Sequence, residues 1–178
     1  TPKANFNGTD TFKYTIANHV SSAVGTVSLI VADRIIVVTT GGGGSCFPAS
    51  PCTLAVADAA AAIAAKDLVY VEGGTYNSAV FSMNTGQNLV GGAVDLNTAI
   101  ADATITLAPD SLAPANIAIT ATPTFNAAAT IVTLGGTNLV EYFTINPSGG
   151  SAILGNAITA STNNLHDIGI TATAAANG

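Results

Sequence analysis

Short apolar segments recur along most of this chain, and from residue 105 onward they are separated by glycine, asparagine, proline or serine. Such segments, with turn-forming residues at both ends, are typical of buried β-strands. Like segments recur about every 20–25 residues, from Ile131 to Ile153 and from Tyr142 to Ile168, as expected of a repeated supersecondary unit. The segments are residues 35–38, 68–71, 80–81, 89–92, 105–107, 117–119, 131–134, 142–145, 153–154 and 168–170. The pattern predicts an all-β chain whose stacked parallel strands form a solenoid with three strands per turn.

The composition agrees with a stacked β structure. Only 8% of the residues are charged, against roughly 25% in ordinary globular domains. The polar surface must therefore come mainly from threonine, asparagine, serine and glycine. Threonine and asparagine form ladders between stacked strands, and glycine turns the corners.

Two motifs in the chain are similar to those of a known protein family. Residues 67–76, DLVYVEGGTY, and 88–92, NLVGG, follow an apolar strand, a small loop and an alanine-rich segment at 54–65 that Thr53 can cap. This order resembles the start of pectate-lyase-like proteins. The resemblance implies a right-handed parallel β-helix over residues 34–178. Residues 34–67 would be a cap region with a short N-terminal α-helix, and residues 68–178 would form the coils.

The first 33 residues have a different pattern. Apolar residues alternate with polar ones near 12–16, and a second apolar strand follows at 24–31. Residues 4–15, ANFNGTDTFKYT, resemble the last strands of a bacterial immunoglobulin-like or cadherin-like tandem repeat. The resemblance implies a partial β-sandwich, because two or three strands cannot complete a fold of about seven. These strands are expected to pair in trans or with a part of the protein outside this sequence.

Cys46 and Cys52 are the only cysteines, and they flank a five-residue loop. Two cysteines cannot hold zinc alone, and neither histidine lies near them in sequence. The favoured interpretation is a disulfide that closes the loop, which would indicate an oxidising compartment. A pair of free thiols is the alternative.

The charge pattern excludes nucleic-acid binding, and the lengths of the apolar runs exclude a membrane-spanning helix. The net charge is −6, and the only cations are Lys3, Lys13, Arg34 and Lys66. Nucleic-acid binding needs clustered lysine and arginine, which this chain lacks. No apolar run reaches the roughly 18–20 residues of a membrane-spanning helix. The chain begins at Thr1 without a signal peptide, so we expect a piece of a longer protein.

The carboxylates give no convincing active site. Those from residue 34 onward are Asp58, Asp67, Glu72, Asp95, Asp102, Asp110, Glu141 and Asp167, and no two lie at i, i+2 on one strand. Lyases of this fold need a lysine or arginine base, and hydrolases need paired carboxylates. The only basic residues in this part are Arg34 and Lys66, at its start. We therefore predict no enzyme and no catalytic, cofactor-binding or metal-binding residue.

Three pairs of ionisable residues bear on the prediction of no active site. Asp95 and Asp102 flank a loop and could meet, although solvated loop charges are the favoured interpretation. His166 and Asp167 could form an acid–base pair, but neighbours on a strand point to opposite faces. The neighbours Glu141 and Tyr142 have the same difficulty.

Two turns are also candidates for ligand binding. Glycines 41–44 lack the Lys and Ser/Thr of a phosphate-binding loop, so a flexible corner is favoured. The turn at residues 7–10 has one carboxylate, too few for a tight calcium site.

These observations favour a structural or adhesive segment of a large secreted bacterial surface protein, located outside the cell. We expect it to self-associate head-to-tail into fibres by strand addition and coil stacking. The alternative is the N-terminal part of a polysaccharide lyase or hydrolase whose catalytic coils lie outside this chain. Glycan binding by exposed asparagine, threonine and aromatic side chains is a third hypothesis.

Overall fold

The computed structural model describes residues 8–31, 35–46, 48–63, 68–105, 116–155 and 162–171. These residues divide into two compact units, the first made of residues 8–31 and the second of all the others. The predicted boundary between residues 33 and 34 lies outside the described residues, as do Lys3, Arg34, Lys66, Asp67 and Asp110.

The first unit is a β-hairpin. Strand β1 (Gly8–Ala17) pairs antiparallel with β2 (Ser22–Val31) along its full length. The side chain of Asn18 closes the turn, because its Oδ1 accepts hydrogen bonds from the backbone N–H groups of Val20 and Ser21. Asparagine favours tight turns for this reason. The two strands leave Phe12, Tyr14 and Ile16 exposed.

The expected partial β-sandwich is therefore present only as this two-stranded sheet in the described part of the chain. A hairpin alone is marginally stable in water.

The second unit contains two parallel sheets. The larger has seven strands: β3 (Ile35–Val38), β4 (Leu68–Val71), β5 (Thr75–Asn77), β7 (Asn88–Gly91), β8 (Thr124–Ala127), β10 (Leu139–Pro147) and β12 (Asn164–Ile170). Their order is β3-β4-β7-β10-β8-β5, and β12 also pairs with β10. The smaller sheet joins β6 (Phe81–Ser82), β9 (Val132–Leu134) and β11 (Ile153–Gly155) in the order β11-β9-β6.

Two helices accompany the sheets. Helix α1 (Leu54–Ile63) confirms the alanine-rich helix predicted after Thr53. Helix α2 (Leu96–Asp102) is absent from the sequence-based expectation. Asp95 begins it, because a side-chain oxygen of Asp95 accepts a hydrogen bond from the Thr98 backbone N–H at 3.1 Å. This contact satisfies one of the open N–H groups at a helix start.

The prediction of a right-handed parallel β-helix is wrong. The strands form separate sheets of seven, three and two strands, and no sheet closes or coils among the described residues. The larger sheet branches at β10, which pairs with β7 and β12 over its first residues and with β8 and β12 over its last. Recurring apolar segments indicate buried parallel strands, but they specify neither the hand of a connection nor a closed turn.

Two further predicted strands have different outcomes. Residues 117–119 form no strand, and Ile119 is exposed. Most of the segment at 105–107 lies outside the described residues.

A bend in β10 accompanies the branching of the larger sheet. Tyr142 has a φ of 63°, in the left-handed region that side chains rarely adopt. The residues before Tyr142 pair with β7, and residues 144–147 pair with β8. Asp167, with a φ of 53°, gives β12 a corresponding bend. Two neighbouring strands therefore change direction together.

The core of the second unit lies between the sheets and includes a column of aromatic rings. Phe125 contacts Tyr76 on β5 and Phe143 on β10, with ring centroids 5.5 and 4.9 Å apart. All three side chains are buried. A ladder of asparagines runs along the same strands, since Asn126 Nδ2 donates to Asn77 Oδ1 and Asn146 Nδ2 to Asn126 Oδ1. These ladders fix the register of β5, β8 and β10.

Candidate functional site

Ionisable side chains meet where β12 packs against β10. Glu141 lies on β10 directly opposite His166 on β12. The Glu141 side chain has no exposed surface, and its Oε2 lies 2.5 Å from His166 Nε2. His166 Nδ1 lies 3.0 Å from Asp167 Oδ2. We call Glu141, His166 and Asp167 the carboxylate–histidine cluster.

The contact between His166 and Asp167 depends on the bend in β12. Neighbouring side chains on a regular strand point to opposite faces, which is the argument against this pair in the sequence. The left-handed φ of Asp167 interrupts that alternation, so its carboxylate can reach the imidazole of the preceding residue. The Tyr142 ring lies edge-on to the same imidazole, with centroids 6.0 Å apart.

The electrostatics of the cluster favour bound protons. Burial raises the pKa of Glu141. The positive charge of His166 lowers this pKa, and the negative charges of Asp102 and Asp167 raise it. The hydrogen bond with Asp167 raises the pKa of His166, and the negative charge of Glu141 acts in the same direction. Glu141 Oε1 has no hydrogen-bond partner among the described residues. The arrangement can therefore hold a proton between β10 and β12.

Asp95 and Asp102 are not brought together. They lie at opposite ends of α2, about 10 Å apart along a helix of this length. Hydrogen bonds from Thr98 lower the pKa of Asp95, which acts as a helix cap. Asp102 instead lies close enough for its charge to act on Glu141 and His166. Within the described ranges, no group of three or more His, Cys, Asp or Glu side chains is placed to hold a metal ion.

The sequence contains a signal for the cluster in the spacing of its segments. Glu141 and His166 are separated by 25 residues, as are Phe143 and Ile168, which also pair between the two strands. This offset lies within the spacing at which the apolar segments recur. The same spacing, applied to the charged residues and not only to the apolar ones, places Glu141 beside His166.

The opposite end of the larger sheet is covered by the cysteine loop. Cys46 and Cys52 form a disulfide, which confirms the prediction. The Val37 N–H donates to Cys46 O and the Cys52 N–H donates to Val37 O, each at 3.0 Å. The loop therefore satisfies the outward backbone groups of Val37, in the middle of β3.

Two of the glycines at 41–44, Gly42 and Gly44, have a packing role in the same loop. A Cβ atom on Gly42 would overlap the carbonyl group of Cys52, and one on Gly44 would overlap Ser50 Oγ. The predicted flexible corner is thus a place where two backbone segments approach closely.

The outer edge of β12 is different. β12 pairs with β10 on one side, and no described strand pairs with its other side. Leu165 and Ile170 on this strand are 47% and 56% exposed. Thr171 N–H donates to Ile145 O, so the N–H of the preceding residue, Ile170, points away from β10.

A polar cleft of about 250 Å³ lies near the covered end of the sheet. It is formed by the residues after β3, the first residues of α1, and β5 with its following turn. Hydroxyl groups of Thr39, Thr40, Thr53, Thr75 and Ser78 belong to residues that line it. The cleft and the carboxylate–histidine cluster are made of different residues.

Comparison with known protein families, with curated proteins and with solved structures gives no match. The resemblances to pectate-lyase-like proteins and to immunoglobulin-like tandem repeats therefore stay unconfirmed. The disulfide is compatible with an extracellular location. No helix in the described part of the chain has the length and hydropathy to cross a membrane.

Proposed function

We propose that this chain is a non-catalytic structural or adhesive segment of a secreted bacterial surface protein, and that it self-associates into fibres by strand addition at the outer edge of β12. The observation that carries the proposal is the difference between two of the three end strands of the larger sheet, β3 and β12. The outward N–H and C=O groups of Val37 on β3 bond to the cysteine loop, whereas no described strand covers β12. An open edge of this kind is a template for another strand.

The proposed partner is the β1–β2 hairpin of a second copy. Each of its strands has ten residues, longer than β12, and Phe12, Tyr14 and Ile16 are exposed on one face. Addition of the hairpin would satisfy backbone groups of both partners and cover part of this apolar face. Because the hairpin and β12 are different surfaces, the contact is head-to-tail and can continue into a filament.

The separation of the cleft from the ionisable cluster supports a non-catalytic role. Glycoside hydrolysis needs two carboxylates beside a bound sugar. Residues with hydroxyl, amide and apolar side chains line the cleft, and Glu141 is buried elsewhere. The alternative, a polysaccharide lyase or hydrolase, would need ionisable groups that open onto a cleft.

Sedimentation velocity over a range of protein concentrations tests the association. Ile170→Pro removes one outward N–H group of β12 and leaves the hydrogen bonds of β12 to β10, and proline is tolerated at such edge positions. We expect the wild type to associate as its concentration rises and Ile170→Pro to stay monomeric. The matched control is Ile170→Ala, which keeps the N–H group and should associate like the wild type.

The partner is tested by a substitution on the hairpin. Ile16 is 67% exposed, so Ile16→Lys should fold and yet weaken association by placing a charge on the apolar face. A wild type that stays monomeric at every concentration, with no filaments in negative-stain micrographs, would contradict the proposal. Unchanged association of Ile16→Lys would show that the hairpin is not the partner.

A further inference from the structure

We propose that the polar cleft beside α1 binds one ring of a neutral carbohydrate. The proposal is independent of self-association, because the cleft shares no residue with β12 or the hairpin. It rests on the unused hydrogen-bonding groups of the cleft, its lack of charge, its apolar wall and its size.

No hydrogen bond to another described residue occupies the hydroxyl groups of the cleft. The side chains of Thr39, Thr40, Thr53, Thr75 and Ser78 make no hydrogen bond to other described residues. Each hydroxyl can donate one hydrogen bond and accept two. A group of such hydroxyls matches the hydroxyl groups of a sugar, which also donate and accept.

The start of α1 adds backbone donors to the same cleft. Leu54 and Ala55 line it, and the N–H groups in the first turn of a helix have no acceptor within that helix. No acidic side chain occupies this turn. The oxygen atoms of a sugar can accept from these N–H groups.

The lining selects a neutral ligand. No lysine, arginine, histidine, aspartate or glutamate belongs to it among the described residues. An anionic sugar would lose hydration without gaining a cationic partner, and a buried charge without a partner is costly. A neutral sugar loses only hydrogen bonds that the hydroxyl and N–H groups can replace.

The remaining wall is apolar. Tyr76, Ala79 and Val80 contribute it, and the Tyr76 hydroxyl is already used, since it donates to Glu72 O at 2.8 Å. Of these three side chains Val80 is the exposed one, and its aliphatic groups can contact the C–H groups of a sugar ring. Ligand clefts for drug-sized molecules hold roughly 300–1,000 Å³. At about 250 Å³ the cleft fits one ring, with the rest of a glycan outside.

Amide chemical shifts measured by two-dimensional NMR during titration test the proposal on the full chain. The probes are methyl β-glucoside, methyl β-galactoside and methyl α-mannoside, with galacturonate as the charged comparison. We expect at least one neutral glycoside to shift the amides of Thr40, Leu54 and Ser78, and galacturonate to bind more weakly. Shifts confined to other residues, equal binding of galacturonate, or no shift with any neutral probe would overturn the proposal.

Substitutions that remove a hydroxyl at constant shape sharpen the test. Thr40→Val and Thr75→Val should each weaken binding by about three- to tenfold, the effect of one lost hydrogen bond. Thr133→Val makes the same change on β9, outside the cleft, and should bind like the wild type. Unchanged melting temperatures would show that the variants remain folded. Equal loss of binding in the Thr133 control would count against the site.

Discussion

Strands β3 and β12 are both end strands of the same parallel sheet, yet their surroundings differ. All four residues of β3 are buried, while β12 exposes most of its residues. Both strands carry apolar residues, so hydrophobicity alone does not explain the contrast. β3 is buried because the cysteine loop hydrogen-bonds to its outer side and α1 packs against it. The segments that pack on an end strand, and not the hydrophobicity of the strand itself, therefore decide whether its edge is closed.

An isoleucine-to-alanine substitution, made once on β3 and once on β12, gives the largest expected difference in stability. Ile36 on β3 is 1% exposed and Ile170 on β12 is 56% exposed. We expect Ile36→Ala to lower the free energy of unfolding by about 2–5 kcal/mol, because it leaves a cavity in the core. Ile170→Ala should change it by about 0.5 kcal/mol or less. Urea unfolding measures both, and equal losses would show that the edges do not differ in burial.

Removal of the disulfide should have a smaller effect. The bond closes a loop with a sequence separation of 6. Cys46→Ala combined with Cys52→Ala should lower the free energy of unfolding by about 2 kcal/mol, mainly through the unfolded chain. Reduction of the wild type should have a similar effect and leave the double variant unchanged. If neither treatment changes stability, the loop stays over β3 without its covalent link.

The smallest expected effect is a pH dependence at the β12 end. The pKa values of Glu141 and His166 are both raised in the folded chain, from ordinary values of 4.5 and 6.5. The folded state therefore binds more protons than the unfolded state, and stability falls as the pH rises. The loss should begin above about pH 4.5, where unfolded glutamate ionises, and continue through the folded pKa of His166.

Urea unfolding between acidic and mildly alkaline pH would measure this dependence. Glu141→Gln keeps the shape of the side chain and removes its titration, and His166→Asn removes the imidazole. Each variant should flatten the pH profile, while Asp58→Asn, on α1, serves as a control that leaves the cluster intact. A wild-type profile that rises across this range would contradict the direction assigned to the cluster.

Local features of the fold could be predicted from the sequence. The strands at 35–38 and 68–71, helix α1, the hairpin and the disulfide each follow from a short run of residues with a clear physical signal. β-branched and aromatic residues between turns indicate strands, and alanines after threonine indicate a helix.

The arrangement of these elements could not be predicted in the same way. Helix α2 is short and depends on a capping contact of Asp95, and β8 lacks the continuous apolar run of β3 and β4, since its sequence is Thr-Phe-Asn-Ala. The branch at β10 and the meeting of Glu141 with His166 depend on register between distant segments. A periodic pattern constrains that register only within a few residues, whereas a shift of one residue changes every contact.

The paired bends at Tyr142 and Asp167 have a consequence for how this chain can vary through evolution. The bend lies where β10 passes from β7 to β8, and the next strand follows it in register. Loss or gain of a single codon between residues 139 and 147 would reverse the side chains that β10 presents to the core beyond the bend. Insertions should therefore be tolerated between strands, whereas a change in the length of β10 should disrupt its pairing with one of its two sets of neighbours.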